Sequence, residues 1–428
     1  MTRVLYIDHY AGSIAHGMEF RPFYMAREWM KLGHEVTVVA ASESHLRQRN
    51  PLVFDDWTQE LVSGVRYIWL KTPSYRGNGL ARVRNILAFV RALYRQRRRL
   101  ASTFSPDVVI ASSTYPFDIF PARSIARLVD AKLFFELHDL WPLSPIELGG
   151  MSRWHPFIVA TQFAEDYVCR VADQIISMLP KAEEHLTARG LRPGRLVYIP
   201  NGVVVDEWTE CEKNPLPGET QKHLAELRGA GRFIVLYAGA HGLLNNLGVL
   251  LASAERLRDD PVSVVFVGHG PEKTTLVRAA SDRGLENVSF LSSVPRSTIP
   301  ALFAAADCLF LSYAPRPLFR FGVSPNKLMD YMMSGAPVVA AMTAGNNLVE
   351  ECGCGLTVAP DDPDRLAAAI RKLAALPRSD LRAMGQRGRH AVQQGYSYET
   401  LARRFAQLFT SAPKPARARP DSPGETTV

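Results

Sequence analysis

The chain has 428 residues, 47% hydrophobic and 21% charged, with a formal net charge of +8. That length is natural for two domains, each with its own core, and no apolar run, near Val264 or Val338, is long enough to span a membrane. Met1–Arg3 leads straight into Val4–Ile7 with no secretory leader, and the five cysteines (Cys169, Cys211, Cys308, Cys352 and Cys354) show no metal-site or C-x-x-C spacing, so a cytoplasmic chain with reduced, mostly buried thiols and no metal is expected.

In chain order, Val4–Asp8 reads as a buried strand. A glycine-bearing loop from Gly12 to Gly17 follows, then a helix from about Pro22 to Leu32 and a second strand, Val36–Ala40. A strand–loop–helix–strand order implies parallel strands, with ligands at their carboxyl ends. Gly12 and Gly17 either bring backbone close to a phosphate or sugar, or only make the turn; their spacing is not G-x-G-x-x-G.

Between Leu61 and Pro106 there are ten basic residues and no acid, while the remainder carries 40 basic against 42 acidic residues. All the excess positive charge therefore lies in one segment. Within it, Leu80, Val83, Ile86, Leu87, Val90, Leu93, Tyr94 and Leu100 recur at helical spacing. Arg82, Arg84, Arg91, Arg95 and Arg98 occupy the other positions. Such a helix either covers the domain with a solvated basic face or meets a polyanion. The anionic inner face of a membrane is favoured, and no nucleic-acid motif accompanies the arginines.

Further strands are expected at Asp107–Ser112, Leu133–Leu137, Gln174–Met178 and Leu196–Pro200. The strand Phe134–Leu137 runs into His138-Asp139-Leu140-Trp141-Pro142, which places His138 at a carboxyl edge. Glu136 is assigned to the opposite face and a structural role. The turn Ile199-Pro-Asn-Gly-Val203 closes the first domain, and Cys211–Gly231 reads as a linker with a first helix. The second domain repeats the alternation at Phe233–Ala238, Val262–Val267, Val288–Leu291, Cys308–Ser312 and Val338–Ala341. Gly239 to Gly242 and Gly268 to Gly270 follow two of these strands, and Val294-Pro295 follows a third; all are also ordinary strand-to-helix turns.

The stretch Phe321-Gly322-Val323-Ser324-Pro325-Asn326-Lys327 opens a helix that Gly335 ends. Pro325 suits a first turn, and a helix start after small residues offers free N–H groups and partial positive charge to a phosphate. Lys327 adds a full charge, and Asp330 can accept hydrogen bonds from sugar hydroxyls. From Pro413 the chain is rich in Pro, Ala and charge and is expected to be disordered.

Taken together, Met25–Val39 ("LA..L...GH.V.VV"), His138–Pro142 ("HD.WP"), Ile199–Val203 ("IPNGV"), Val267–Pro271 ("VGxGP") and Phe321–Met332 ("FGxSPxK", an acid, "YM") resemble the retaining family-4 glycosyltransferases. The last stretch resembles the L-fucosamine transferase-like subgroup. The resemblance implies an α/β protein with the GT-B fold, two Rossmann-like parallel-sheet domains facing a central cleft. Residues 1–210 would form the acceptor-side domain and 211–395 the nucleotide-sugar domain. Residues 396–412 would be a helix crossing back, and 413–428 the tail. It implies His138 and Lys327 at the reacting centre, with Asp139 touching substrate or orienting the loop. Donor contacts would come from Gly12, Gly17, Gly239, His241, Asn245, Gly268, Gly270, Val294, Phe321, Gly322, Val323, Ser324, Pro325, Asn326 and Asp330.

The implied partners are a UDP-sugar donor and an undecaprenyl-diphosphate-linked sugar acceptor used in surface-polysaccharide (O-antigen or capsule) assembly. No metal or other cofactor is implied. The implied reaction is a front-face displacement that retains configuration, by an enzyme on the inner face of the cell membrane. Two departures stand out. Ala240 and Asn245 occupy the positions of the family's phosphate-binding Arg and Lys, and Gly322 stands where a donor-binding carboxylate is usual. The second implies a donor lacking the hydroxyl arrangement that carboxylate binds, such as an N-acetylated deoxyamino sugar. The alternative readings are a UDP-amino-sugar epimerase of the same fold and a non-enzymatic membrane- or polyanion-binding protein.

Overall fold

The computed structural model describes residues 1–77, 79–211 and 214–411; the tail expected from Pro413 lies outside them, as does the side chain of Cys211. The N-terminal sheet contains β1 (Arg3–Ile7), β2 (Glu35–Ala41), β3 (Thr58–Val62), β4 (Val65–Leu70), β5 (Val108–Ala111), β6 (Lys132–Leu137), β7 (Gln174–Ser177) and β8 (Leu196–Tyr198). Their spatial order is β3-β4-β2-β1-β5-β6-β7-β8, parallel except for the β3–β4 hairpin. The C-terminal sheet is wholly parallel, with β9 (Phe233–Ala238), β10 (Val262–Val267), β11 (Val288–Leu291), β12 (Cys308–Ser312), β13 (Val338–Ala341) and β14 (Gly355–Val358) in the order β11-β10-β9-β12-β13-β14. Helices cover both faces, which is why runs such as Val262–Val267 are buried at every position instead of alternately.

Three strands, β3, β4 and β14, lie outside the expected set. The hairpin had a local signal: Ser63 and Gly64 take positive φ (48° and 86°) between the two strands, as a two-residue turn of this kind requires.

The helices that matter below are α1 (Arg21–Lys31), α2 (Leu80–Phe104), α3 (Ile119–Val129), α4 (Pro156–Val171), α5 (Asn326–Ser334) and α6 (Tyr398–Ser411). Near the end of the chain, α6 packs on the N-terminal domain. Trp29 of α1 donates through Nε1 to the Ala402 carbonyl (3.1 Å), and its rings lie 4.9 and 5.2 Å from those of Phe405 and Phe409. The Lys132 ammonium donates to the carbonyls of Phe409 and Thr410 (2.9 and 3.0 Å), satisfying acceptors that a helix end leaves open.

On α2 the structure rearranges the expected apolar stripe. Ile86, Phe89, Leu93 and Leu100 are buried, whereas Leu80, Leu87 and Tyr94 are exposed. Two of the arginines assigned to a membrane are engaged within the protein: Arg82 donates to the Tyr10 hydroxyl (3.2 Å) and Arg95 lies 3.8 Å from Asp56. Cys169, Cys308 and Cys354 are buried free thiols, and Cys352 is half-buried. Among the described residues no helix is long and apolar enough to cross a membrane.

The carboxyl edges of the two sheets meet. Asn201, beyond β8, donates from its backbone N–H to the Ser324 hydroxyl (2.8 Å) and from its side chain to the Ser324 carbonyl (2.7 Å). The Lys181 N–H donates to the Phe321 carbonyl (3.0 Å). Arg320 makes a two-armed pair with Glu147 (2.8 and 2.9 Å).

Candidate active site

On the N-terminal wall, β6 carries Glu136 and, just past its end, His138. Two residues apart along a strand, they share a face, so Glu136 does not sit opposite His138 as the sequence reading placed it. His138 Nε2 lies 2.8 Å from the Ser112 hydroxyl and 3.5 Å from Glu136 Oε2. Ser112 in turn donates to Glu136 (2.6 Å), and Tyr6 donates to the same carboxylate. The fully buried Arg21 completes the group. Its Nε donates to Glu136 (2.9 Å), and its other nitrogens donate to the carbonyls of Pro200 (2.5 Å) and Ile199 (3.0 Å).

Burial alone would raise the Glu136 carboxyl. Arg21 and the hydrogen bonds from His138 and Ser112 overrule it and hold the group well below the usual carboxylate range. Burial alone would lower His138, but its hydrogen bond to and charge attraction from Glu136, with Asp8 and Glu19 behind, raise it. Asp8, at the end of β1, is pushed up to about 7 by burial, and Asp118 likewise to about 7. Arg21, Ser112, Asp8 and Asp118 were not singled out from the sequence. Asp8 and Ser112 carried a signal, since each ends a central parallel strand at the ligand-binding edge. Asp139 turns inward on its own loop, accepting from the Leu140 N–H (2.9 Å), and burial raises its pKa.

Gly12 and Gly17 serve their own loop. A Cβ on Gly12 would fall 1.9 Å from the Gly17 carbonyl oxygen, and Gly17 has φ of 95°. Close packing of backbone on backbone is what glycine permits here.

On the C-terminal wall three glycines knit the β9 and β10 loops to α5. A Cβ on Gly239 would sit 3.0 Å from Lys327 Cε. One on Gly268 would fall 2.1 Å from the Gly239 oxygen, and one on Gly270 would meet the His241 backbone at 2.4 Å. Lys327 Nζ donates to the Tyr237 hydroxyl (2.7 Å) and to Asn245 Oδ1 (3.2 Å), and lies 4.2 Å from the centre of the Tyr237 ring. Tyr237 and the Asn245 amide both donate to the Ala240 carbonyl (2.7 and 2.9 Å). Burial pushes Lys327 down to about 7.

His241 is completely buried, and neither ring nitrogen has a hydrogen-bond partner among the described residues. Burial, followed by the charges of Lys273, His269 and Lys327, pushes it down to about 4, so the ring is neutral. An unpartnered buried polar ring is costly unless something else arrives to bond it.

Asp330 accepts from Trp208 Nε1 (3.2 Å), and burial raises its carboxyl against the opposing pull of Arg296. Arg296, another residue the sequence reading passed over, reaches across to the N-terminal domain, 4.9 Å from the centre of the Phe20 ring. Val294 is half-buried against the core of its own domain.

Phe321, Gly322 and Ser324, expected as donor contacts, lie against the N-terminal domain, and Val323 is held within its own domain. The Phe321 carbonyl accepts from Lys181, the Val323 N–H donates to Asn346 Oδ1 (2.8 Å), and Ser324 is held by Asn201. Gly322 has φ of 101°, and a Cβ there would fall 2.4 Å from Pro180 Cδ. This conformation and this contact exclude a side chain, so the missing carboxylate at 322 has a steric reason independent of the donor. Pro325, Asn326 and Lys327 open α5 beside the glycine loops, where first-turn N–H groups lack intrahelical acceptors.

Residues 16–202 match the family described as Glycosyl transferase 4-like domain, and residues 232–375 match Glycosyl transferases group 1. The chain is similar to WcaI of Escherichia coli (strain K12), a protein named for colanic acid biosynthesis and glycosyl transfer. The two are 25% identical over 407 residues, covering 88% of this chain and 92% of that one. It is also similar to WbjE of Pseudomonas aeruginosa, named as a glycosyltransferase (22% identical, 77% of this chain and 79% of that one). Among solved structures, the sucrose-phosphate synthase of Thermosynechococcus elongatus superposes with a TM-score of 0.71 at 18% identity, covering 95% of this chain and 98% of that one. HepE of Anabaena, solved in complex with UDP and glucose, superposes at 0.66 with 16% identity, over 96% of this chain and 100% of that one. These matches set aside the epimerase and non-enzymatic readings.

Proposed function

Starting from a chain that is a glycosyltransferase of the GT-B fold, an enzyme that transfers sugar, we propose that it takes the sugar from a UDP-linked donor with retained configuration. The acceptor is a sugar on a lipid diphosphate at the inner face of the cell membrane, and the product enters a surface polysaccharide of the O-antigen or capsule kind. The observation that carries this reading is the likeness along most of the chain to WcaI. The donor wall agrees with it. Lys327, the start of α5 and the unpartnered His241 converge where the two glycine loops close, and together they suit a diphosphate.

As the bond from the anomeric carbon to the diphosphate oxygen breaks, charge grows on the leaving group. Lys327 and the first-turn N–H groups of α5 stabilise that charge, and neutral His241 donates one hydrogen bond without adding a second cation. The acceptor hydroxyl attacks from the side the diphosphate leaves, and its proton passes to the departing phosphate oxygen. His138 is held through Nε2 by Ser112 and Glu136, which leaves Nδ1 for a donor-sugar hydroxyl. We assign the donor to the N-acetylated deoxyamino sugars on the resemblance of Phe321–Met332 to the subgroup that transfers them.

The test is a thermal-shift panel of UDP, GDP, ADP and several UDP-amino sugars, since a ligand of the native state raises the midpoint. A selective rise with UDP and one UDP-amino sugar is the expected result. A rise with GDP alone overturns the donor assignment.

A further inference from the structure

The outer side of the N-terminal domain carries a face that the cleft chemistry does not use. Along α2, Leu80, Arg84, Leu87, Arg91, Tyr94 and Arg98 recur at alternating four- and three-residue steps and so form one stripe. Its apolar members are 88%, 56% and 40% exposed. Tyr94 leads into a groove of about 310 Å³ walled by Phe120, Arg123 and Arg127 of α3 and Tyr167 of α4. Beyond the groove, Phe163 stacks on Phe120 with ring centroids 6.2 Å apart and is 58% exposed. Val159, one turn earlier, and Trp154, just ahead of α4, are exposed too.

Neither α2 nor α3 contains an acidic residue. The two acids of α4 are turned to other partners: Glu165 is buried beside His185, and half-buried Asp166 accepts from Gln162. Arg123 donates only to the Tyr167 hydroxyl, and Arg127 makes no hydrogen bond or ion pair among the described residues. Both flanking helices also start at the cleft rim. Arg82 in the first turn of α2 donates to Tyr10, and Phe157 in the first turn of α4 lies 6.0 Å from Trp141, three residues past His138.

Resting on the lipid-acceptor reading above, we propose that α2, α3 and α4 form a single docking face for an anionic bilayer, with the groove holding a lipid phosphate between Arg123 and Arg127. Exposed aliphatic and aromatic side chains set among arginines match the boundary of a bilayer, where the rings enter the headgroup layer and the cations meet phosphate. A water-facing surface gains nothing from Leu80 or Trp154, which are 88% and 81% exposed. The face ends at the rim, so a lipid held there presents its headgroup sugar to the cleft.

The experiment is co-sedimentation of the full chain with vesicles of phosphatidylcholine alone or mixed with phosphatidylglycerol. Two double variants at exposed positions are compared: Arg91→Ala with Arg98→Ala on α2, and Arg127→Ala with Phe163→Ala on α3 and α4. The wild type is expected to bind only the anionic vesicles, and each pair to weaken binding on the order of tenfold. The midpoint shift with UDP should not change in either. Wild-type binding of the α3–α4 pair, with loss in the α2 pair, overturns the three-helix face and leaves the bilayer reading standing. Failure of the wild type to bind anionic vesicles overturns both and gives the face to a protein partner.

Discussion

The two walls of the cleft bury charge in opposite ways. On the N-terminal wall, Arg21, Tyr6, Ser112, Glu136 and His138 satisfy one another, so the group is complete before any substrate arrives. On the C-terminal wall, neither ring nitrogen of His241 has a hydrogen-bond partner among the described residues, and Lys327 leans on a neutral phenol and an amide. The first wall is rigid scaffold that aims a histidine. The second is an unfinished cation site, and the diphosphate proposed above would complete it and place the binding energy where charge develops in the reaction.

Breaking the complete wall should have the largest effect. Glu136→Ala strands Arg21, with both side chains fully buried, and should cost about 3–5 kcal/mol of stability in urea unfolding. A loss under about 1 kcal/mol would mean that the carbonyls of Ile199 and Pro200 suffice for Arg21. Breaking the unfinished wall should spare stability and remove turnover. Lys327→Met should lower kcat on the order of 100- to 1000-fold with the melting midpoint held or raised, because a charge that burial disfavours is gone. Retained kcat would move the phosphate role elsewhere, to His241 and the helix.

A pH series sharpens the same contrast. Lys327 falls to about 7 in the folded chain from 10.5, so its burial penalty is full below about 7 and fades as pH rises toward the unfolded value. UDP that demands the charged amine must then take up a proton above about 7. Calorimetry in buffers of different ionisation heat should show uptake at pH 8 and little at pH 6; equal uptake at both would contradict the assignment.

Smaller effects are expected where the walls only steer. Asn245→Ala removes one of two hydrogen bonds to Lys327 and one to Ala240, and should raise KM for the donor several-fold, worth roughly 1 kcal/mol, with kcat within about twofold. A change confined to kcat would place Asn245 at the reacting atoms.

The sequence by itself determined the architecture. Buried apolar runs alternating with helical periods, and turns rich in Gly and Pro, mark two parallel α/β halves because strand and helix periods are local properties. The loop motifs located Lys327 and His138 for the same reason: each sits at the end of a strand or the start of a helix. Partners were decided only in three dimensions. Glu136 finds Arg21 from 115 residues away, and no local rule joins them. Gly322 owes its bare backbone to Pro180 in the other domain, while the sequence reading gave it a role toward the donor. On α2, the eight apolar residues that recur at helical spacing do not share one side: packing buried Ile86 and Leu93, with Phe89 between them, and left Leu87 and Tyr94 to the surface. Periodicity states that a face exists, and only the neighbours that pack against it decide which one is covered.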